Sequence, residues 1–286
     1  MRATALPRLL KDAVSAWVDD HAPSMGAALA YYTCFSLAPL LLIVIGIAGA
    51  VFGQEAARGA IVGQLEGFLG TDGATAVQGL LQSASLPSRN ILASVVGGVT
   101  LLLGATSVLG ELQSDLDRIF EAPKAPKGGV VGLLRSRLLS FGIILAIAFL
   151  LLVSLVVSAA LAAVGQWWGS AIAHWTTVLE VINTAVSFAV VTALFSMIYK
   201  ILPRVKLAWR DVWIGATITA ALFTLGKFAI GLYLGRSGVA SGFGAAASVV
   251  VVLVWVYYSA QIFLFGAELT WVYSRRFGSD QRTHEE

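Results

Sequence analysis

The residues that could perform acid–base, nucleophilic or metal chemistry are few in this 286-residue sequence and lie far apart. The histidines are His21, His174 and His284, and the single cysteine is Cys34. Metal-dependent hydrolysis needs clustered histidines and carboxylates around an open coordination site. No Ser-His-Asp arrangement, phosphate-binding glycine loop or paired-carboxylate motif is evident. The sequence therefore predicts no catalytic centre, no metal site and no cofactor, and the protein is not expected to be an enzyme.

Polar side chains within long apolar runs indicate a different kind of chemistry. Lys227 lies deep in such a run, where a charge costs at least ~2.5–3.5 kcal/mol and therefore usually faces a polar interior. Counting ~1.5 Å per helical residue places Gln261 and Tyr258 near the same depth. Lys227 would attract an anionic group, which Gln261 and the tyrosines Tyr32 and Tyr258 would orient. The alternative is that Lys227 extends its stem to the outer interface and has no binding role.

Further polar residues extend this candidate pathway. Pro39 predicts a movable kink in the first run because it removes a helical hydrogen bond, and Ser36 could satisfy the freed backbone group. Glu268 lies about 8 Å from the predicted inner boundary, too far from Lys227 for a direct ion pair. The candidate polar pathway comprises Tyr32, Ser36, Pro39, Lys227, Tyr258, Gln261 and Glu268.

Long apolar runs must position these residues. Each run reaches or exceeds the ~20 residues needed to cross ~30 Å of hydrocarbon. The six runs are Ala27–Phe52, Asn90–Gly110, Leu133–Val164, Thr177–Leu202, Val212–Leu234 and Phe243–Tyr273. With 58% hydrophobic and 12% charged residues, the chain differs from an ordinary soluble domain. We predict an all-α polytopic membrane protein, a single domain over residues 1–286 with six transmembrane helices.

The distribution of Lys and Arg predicts the orientation in the membrane. These residues fall almost entirely into alternate gaps: the N-terminal segment, the second loop, the fourth loop and the C-terminal tail. Cytoplasmic loops retain Lys and Arg, so both termini are predicted to be cytoplasmic, as an even number of spans requires. Such loops beside anionic lipid also explain the net charge of +3. Membrane lipids are therefore expected partners, and nucleic acid is not.

Two connecting regions carry helical periodicity. Residues 7–21 predict an amphipathic helix that lies on the cytoplasmic membrane surface. A helix that binds a partner protein is the alternative. Residues 53–89 predict an external helical loop, made of two amphipathic helices with a break at Thr71–Gly73.

The region after the second run continues as a helix. Residues 111–120 have one apolar face, formed by Leu112, Leu116, Ile119 and Phe120, and residues 122–129 predict a turn. Small residues at Gly26/Ala30, Gly46/Ala50, Gly215/Thr219 and Gly231/Gly235 allow close helix contacts. Such pairs make a second copy of the chain a candidate partner, although the same spacing is common in all membrane bundles.

Four stretches carry a family pattern in order and spacing: Ala27–Leu40, Leu112–Phe120, Tyr199–Pro203 followed by Trp209 and Gly215, and Trp255–Leu269. Together they resemble the YihY/BrkB family of bacterial inner-membrane proteins, and the resemblance runs from about residue 7 to residue 273. One departure is Leu116-Asp117 with Phe120, where the family often has Leu-Asn and a tryptophan.

The resemblance implies six spans with cytoplasmic termini in a bacterial inner (plasma) membrane, in agreement with the charge distribution. It implies no established reaction, since some members carry a ribonuclease label and others are associated with virulence or serum resistance. The predicted topology argues against a ribonuclease because it places His174 outside and both His21 and His284 in the cytoplasm.

We expect a transporter or translocation protein for a small solute or lipid-like substrate, with the candidate polar pathway as its route. The alternative is a non-transporting membrane scaffold that supports envelope integrity, virulence or serum resistance. A membrane enzyme for lipid-linked substrates would need a cleft that gathers Glu111, Glu268 or His174. The predicted topology places His174 opposite the two glutamates.

Overall fold

The computed structural model describes residues 5–84, 107–123, 175–237 and 247–278, and every regular element in these ranges is an α-helix. The helices are α1 (Ala5–Asp19), α2 (Ala22–Phe52), α3 (Gln54–Ala84), α4 (helical at residues 107–119), α5 (Trp175–Ile201), α6 (Trp209–Ser237) and α7 (Ala247–Phe277). The predicted all-α class is confirmed for these ranges.

Three helices are long and apolar enough to cross a membrane, counting only the residues that the structure describes. Their apolar segments are Val181–Ile201, Trp209–Tyr233 and Val249–Phe277. They coincide with the fourth, fifth and sixth predicted runs, and α2 covers the first. The third run and most of the second lie outside the described ranges. Six spans and two cytoplasmic termini therefore stay predictions.

A single glycine connects α2 to α3. Gly53 has a φ of 89°, in the left-handed region that favours glycine, and its amide donates to the Gly49 carbonyl at 3.0 Å. This bond closes the last turn of α2, so that α3 begins at the next residue. The short connection makes α2 and α3 sequence neighbours that pack on each other.

The structure corrects the predicted break in residues 53–89. α3 is one helix of 31 residues and continues through Thr71–Gly73. A glycine inside a helix costs only about 1 kcal/mol, whereas burying a side chain such as Val77 or Leu81 contributes about 1.5–3 kcal/mol. Both side chains are buried after the expected break, so packing outweighs the local propensity.

The described residues fall into two compact units. The first draws on Met1–Val14, Leu116–Leu222 and Gly266–Glu286, and the second on Ser15–Asp115 and Phe223–Phe265. Both α6 and α7 contribute residues to each unit.

The core of the second unit is an apolar cluster from α2, α3, α6 and α7. Its buried members are Cys34, Leu41, Ile45, Ala76, Val77, Leu81, Ile230, Val251, Val252 and Trp255. On α2, α3 and α7 these positions include pairs at three-, four- or seven-residue spacing, which places them on one face, and α6 contributes Ile230. The cluster therefore joins helices that are far apart in sequence.

The core of the first unit is built around Phe120. Its ring lies 5.9 Å from that of Trp271 and 6.4 Å from that of Tyr199, measured between ring centres. Leu116 and Ile119 are fully buried beside it on α4. The predicted apolar face of residues 111–120 is therefore confirmed at these three positions of the first unit.

The N-terminal helix has apolar residues on two adjoining sides. Leu9 and Ala13 are buried in the protein, whereas Leu10, Val14 and Val18 are exposed. The predicted helix within residues 7–21 is confirmed as α1. Its position on the membrane surface stays a prediction.

Candidate functional site

Three of the predicted pathway residues, Tyr32, Ser36 and Pro39, lie on α2, in the second unit. Ser36 is buried, and its hydroxyl donates to the Thr33 carbonyl at 3.2 Å. It therefore bonds one turn back rather than to the carbonyl that Pro39 leaves free. Tyr32 is half-buried, and its ring meets that of Tyr31 edge-on at 5.7 Å between centres. Pro39 lies within the continuous α2 helix, and its side chain is outside the described part.

Gln261 joins α7 to the beginning of α2. Its Nε2 lies 3.5 Å from the Ala22 carbonyl oxygen, at the limit of a hydrogen bond. A Cβ placed on Gly26 would lie 3.1 Å from the Gln261 Cδ, so glycine leaves the room that the amide occupies. The Oε1 of Gln261 is buried without a hydrogen-bond partner among the described residues.

This contact changes the depth assigned to Gln261. Counting along the sixth run places Gln261 about 18 Å above the inner boundary, yet it lies beside Gly26, which directly precedes the first run. The residue count and the observed contact disagree because the count takes the end of the apolar run as the membrane boundary. Hydropathy does not distinguish an apolar helix buried by protein from one buried by lipid. Residues 266–271 of α7 are buried within the protein.

Tyr258 and Lys227 lie at one level, where α6 meets α7. A Cβ on Gly226 would lie 3.0 Å from the Tyr258 Cε1, so the two helices are in close contact there. Lys227 is half-buried at the flank of this contact, with Nζ 5.9 Å from the centre of the Phe228 ring. Tyr258 therefore contacts α6 while Gln261 contacts α2, and the two polar groups point to different neighbours.

Glu268 is a buried acidic residue on α7, in the first unit. Only 1% of its surface is exposed, and it lies within the apolar segment Val249–Phe277. Ionisable residues inside membrane spans are expensive to bury and mark functional positions by default. Glu268 is therefore the predicted pathway residue with the most distinctive environment.

α6 and α7 also pack reciprocally through two glycines and two threonines, and the spacing within one helix did not predict this pairing between helices. Gly215 faces Thr270, and Gly266 faces Thr219, so the two helices run antiparallel. A Cβ on Gly215 would lie 2.7 Å from the Thr270 Cβ, and one on Gly266 would lie 2.7 Å from the Thr219 Cγ2. The repeated spacing Gly-x-x-x-Thr on both helices is the signal that would have found them.

Each threonine of this pair satisfies its hydroxyl on its own helix. Thr219 donates to the Gly215 carbonyl at 2.8 Å, and Thr270 donates to the Gly266 carbonyl at 2.7 Å. Bonding one turn back satisfies each hydroxyl within its own helix, while the Oγ1 and the methyl group of the threonine both lie over the opposite glycine. The contact between α6 and α7 is thus tightly packed, and both threonine hydroxyls have hydrogen-bond partners.

Tyr199 of α5 completes the contact. Its side chain is fully buried, and its hydroxyl lies 3.3 Å from the Thr219 Oγ1. Because the Thr219 proton is already directed to Gly215, Tyr199 donates and Thr219 accepts. The phenol therefore ties α5 to the paired helices α6 and α7.

The end of α4 is fixed by its backbone. Glu121 has a φ of 49°, its amide donates to the Arg118 carbonyl at 3.1 Å, and the Ala122 amide donates to the Asp117 carbonyl at 2.7 Å. These two bonds form a Schellman motif, which ends a helix with one left-handed residue. The helix thus stops at the beginning of the predicted turn.

Asp117 anchors the connection between α5 and α6. Its Oδ1 accepts from the Arg204 backbone amide at 2.8 Å, and its Oδ2 lies 3.4 Å from the Arg204 Nε. Lys200 donates from Nζ to the Leu207 carbonyl and lies 5.6 Å from the centre of the Trp209 ring. The short, basic loop between α5 and α6 is therefore held near its beginning by Asp117 and near its end by Lys200.

Further polar contacts tie the C-terminal turns of α7 to other helices of the first unit. The Ser274 hydroxyl donates to the Asp211 Oδ2 at 3.2 Å, and both side chains are buried. Arg275 pairs with Glu121, and Arg276 pairs with Asp12 on α1. Within the described ranges, no group of three or more His, Cys, Asp or Glu side chains could hold a metal ion.

Comparison with known proteins supports the resemblance seen in the sequence. A sequence profile of the family described as virulence factor BrkB matches residues 13–286. The chain belongs to this family. Within the BrkB family, a UPF0761 membrane protein of Pseudomonas aeruginosa (strain LESB58) is 28% identical over 260 residues, covering 88% of this chain and 59% of its own length.

Two further relatives have the same name. The UPF0761 membrane protein of Verminephrobacter eiseniae is 27% identical over 255 residues, covering 88% of this chain and 58% of its own length. That of Stenotrophomonas maltophilia (strain R551-3) is 27% identical over 263 residues, covering 89% and 58%. The chain thus spans under two thirds of the length of these relatives. No solved structure matches it.

The BrkB-like motifs lie at the contacts described above. Tyr199 and Lys200 open the Tyr199–Pro203 motif, and Gly215 follows it at the threonine contact. The departure from the family pattern at Asp117 falls on the residue that anchors Arg204. The Leu112–Phe120 and Tyr199–Pro203 motifs therefore include residues that hold the first unit together, whereas Ala27–Leu40 lies in the second unit.

Proposed function

We propose that the protein is a multi-pass transporter or translocation protein of the bacterial inner membrane, acting on a small solute or lipid-like substrate. In this proposal it crosses the membrane six times with cytoplasmic termini. It is not an enzyme, it needs no metal or cofactor, and it binds no nucleic acid.

The buried carboxyl group of Glu268 is the observation that carries the proposal. A side chain with 1% exposure on a helix apolar enough to cross a membrane has a substantial cost of burial, which packing alone does not require. An apolar residue of similar size would fill the same space at lower cost. A group that binds and releases a proton or a cationic group accounts for the presence of the acid.

Lys227 and Gln261 support the same proposal from the second unit. Lys227 places a cationic group beside the contact of Gly226 with Tyr258, within a segment apolar enough to span. Gln261 holds a buried carbonyl oxygen with no hydrogen-bond partner in the described part of the chain. Polar groups in apolar surroundings are costly, and both of these groups are suited to bind a polar cargo.

The second candidate function is a membrane scaffold that does not transport. The reciprocal contact of Gly215 with Thr270 favours it, together with the ion pairs of Asp117 and Glu121. These groups contact each other within the first unit and need no substrate as a partner. Under this alternative the Lys227 side chain extends to the outer membrane interface, and the Glu268 side chain only bonds to groups on neighbouring helices.

A reconstituted transport assay tests the proposal. Purified protein in liposomes is assayed for movement of NBD-labelled phosphatidylethanolamine, by dithionite bleaching, and for uptake of radiolabelled inorganic phosphate. We expect at least one probe to move faster than in protein-free liposomes, and Glu268→Gln or Lys227→Met to slow it about tenfold or more, the size of a lost buried charged contact.

Matched controls separate transport from folding. Glu55→Gln and Lys206→Met make the same chemical changes at exposed positions and are expected to leave the rates unchanged. Thermal unfolding in detergent reports whether each variant is folded. Rates equal to protein-free liposomes for both probes, with a folded protein, would favour the scaffold.

A further inference from the structure

The beginning of α6 presents two tryptophan side chains on its outer surface. Trp209 is 50% exposed and Trp213 is 45% exposed, and their four-residue spacing places both on one face of the helix. The segment from Trp209 to Tyr233 is long and apolar enough to cross a membrane. Tryptophan is enriched where such a helix enters the headgroup layer, because the indole joins an apolar ring to a polar N–H. The two indoles therefore mark the level of the lipid headgroups.

Two cationic groups accompany these indoles. The Lys200 Nζ lies 5.6 Å from the centre of the Trp209 ring and donates to the Leu207 carbonyl. An ammonium group has three N–H donors, and no second acceptor for Lys200 is present among the described residues. Arg210 is exposed and comes three residues before Trp213, so that the two share one face of α6. Lys200 thus accompanies Trp209, and Arg210 accompanies Trp213.

The acidic groups of this region are bonded elsewhere. Asp211 is buried and accepts from the Ser274 hydroxyl on α7 at 3.2 Å, and Asp117 accepts from the loop that follows α5. Within the described ranges, neither Lys200 nor Arg210 forms an ion pair with a carboxylate. The surface around the two indoles therefore keeps a positive charge that no carboxylate of the described ranges neutralises by pairing.

The chemistry of this surface matches an anionic phospholipid. A phosphate diester offers a negative charge and oxygen acceptors to the two cations, while the glycerol backbone and the upper acyl chains contact the indole rings. A free phosphate ion would leave both indoles in water, and a zwitterionic phospholipid brings a cation of its own next to its phosphate. The charge of the surface is therefore complementary to a lipid with a net negative headgroup, which attracts basic residues beside a membrane-spanning helix.

We propose that the end of α5 and the first two turns of α6 form a binding site for an anionic phospholipid of the phosphatidylglycerol class. The residues of this anionic-lipid site are Lys200, Trp209, Arg210 and Trp213. The two cations bind the phosphate oxygens, and the two indoles lie against the glycerol and the upper acyl chains. The site goes beyond the proposed function, because it does not depend on transport and includes neither Glu268 nor Lys227.

Photocrosslinking of the full chain in nanodiscs tests the site. Phosphatidylglycerol and phosphatidylcholine probes carry the same diazirine on an acyl carbon near the ester, and mass spectrometry identifies the labelled peptides. We expect phosphatidylglycerol to label the peptides that contain residues 207–216 about tenfold more strongly or better, since each basic residue near the lipid contributes about fivefold in affinity. Equal labelling by the two probes would overturn the proposal.

A soluble competitor distinguishes a lipid from a free phosphate compound. Glycerol phosphate in the buffer has the headgroup chemistry without acyl chains, and it should leave the labelling unchanged because it has no apolar part for the two indoles. Unlabelled phosphatidylglycerol should displace the probe. Displacement by glycerol phosphate at the same concentration would assign the site to a free phosphate compound and reject the lipid as its occupant.

Single charge removals provide the matched variants. Arg210→Gln is expected to weaken labelling by phosphatidylglycerol about fivefold, with labelling by phosphatidylcholine unchanged. Lys206→Gln is the control, because Lys206 is exposed on the same basic loop and has no cation–π contact with an indole in the described part of the chain. Equal losses for the two variants would mean a diffuse attraction to the whole loop and would contradict a defined site. Thermal unfolding in detergent shows whether both variants are folded, and the comparison of the two lipids in the wild-type chain depends on neither.

Discussion

Gly215 and Thr270 interlock across the antiparallel helices α6 and α7, with the threonine side chain in the space that a Cβ on Gly215 would need. The same geometry recurs one turn away with the roles reversed, at Gly266 and Thr219. Because glycine has no Cβ, each glycine leaves the space that the opposite threonine side chain occupies. In a membrane, where lipid is as apolar as leucine, such close van der Waals packing is a main source of helix association.

Gly215→Ala is expected to destabilise the protein by about 1–3 kcal/mol, because the added methyl group overpacks a rigid β-branched partner. The Thr270 Cβ, 2.7 Å away from the new Cβ, can move only with its backbone. Thermal unfolding in detergent measures the effect. Gly231→Ala on the same helix is the control, since its Cβ would meet nothing within 4 Å. A melting temperature for Gly215→Ala at or above that of Gly231→Ala would contradict the packing.

Tyr199 stabilises the first unit mainly through its ring, with a smaller contribution from its hydroxyl. Tyr199→Phe removes one neutral hydrogen bond to Thr219, so we expect a loss of about 0.5–1.5 kcal/mol. Tyr199→Ala also leaves a cavity beside Phe120 and Phe195, so we expect about 3–5 kcal/mol. Chemical or thermal unfolding in detergent gives both values. Equal losses for the two variants would mean that the hydroxyl carries the whole contribution.

Asp117 is expected to protect the loop between α5 and α6 from proteolysis. Asp117→Ala removes both contacts to Arg204 and should expose the loop, so trypsin should cleave faster after Arg204 and Lys206. Asp117→Asn keeps an oxygen acceptor for the Arg204 amide and should retain most of the protection, with a cost of about 1 kcal/mol or less for the lost partly exposed ion pair. Cleavage of Asp117→Ala at the wild-type rate would show that the anchor is dispensable.

The exposed apolar side of α1 is expected to lie in lipid. A nitroxide attached at Val14→Cys should be accessible to oxygen and shielded from a water-soluble nickel chelate, because apolar residues of an interfacial helix enter the acyl region. Ser15→Cys, on the adjoining polar side, should show the reverse. Replacing the buried Cys34 by serine leaves one label site per protein. Electron paramagnetic resonance in nanodiscs distinguishes the two, and equal accessibility at both positions would support the partner-binding alternative.

Parts of the candidate site could be predicted from sequence because they depend on local properties. The apolar face of Leu116, Ile119 and Phe120 follows from helical spacing, and the helical nature of α5, α6 and α7 follows from long apolar runs. The depth of Gln261 could not be predicted in the same way. A count along one helix takes the end of an apolar run as the membrane boundary, and α7 is buried by protein beyond Gln261.

The break expected at Thr71–Gly73 failed for a related reason. Glycine and aspartate weaken a helix locally, but α3 places Val77 and Leu81 in the core of the second unit. The packing of these two side chains then keeps α3 helical through Thr71–Gly73. The spacing of apolar residues on both sides of the break was the better predictor.

The amino-acid sequence by itself determined that this is an α-helical membrane protein of the BrkB family, because hydropathy, helical periodicity and motif order are local properties of the chain. Only the tertiary structure decided that Gly215 contacts Thr270, that Asp117 bonds Arg204, and that Tyr199 bonds Thr219. Each of these depends on the register between segments distant in sequence. That register is set by the packing of whole helix faces, which no single run of residues encodes.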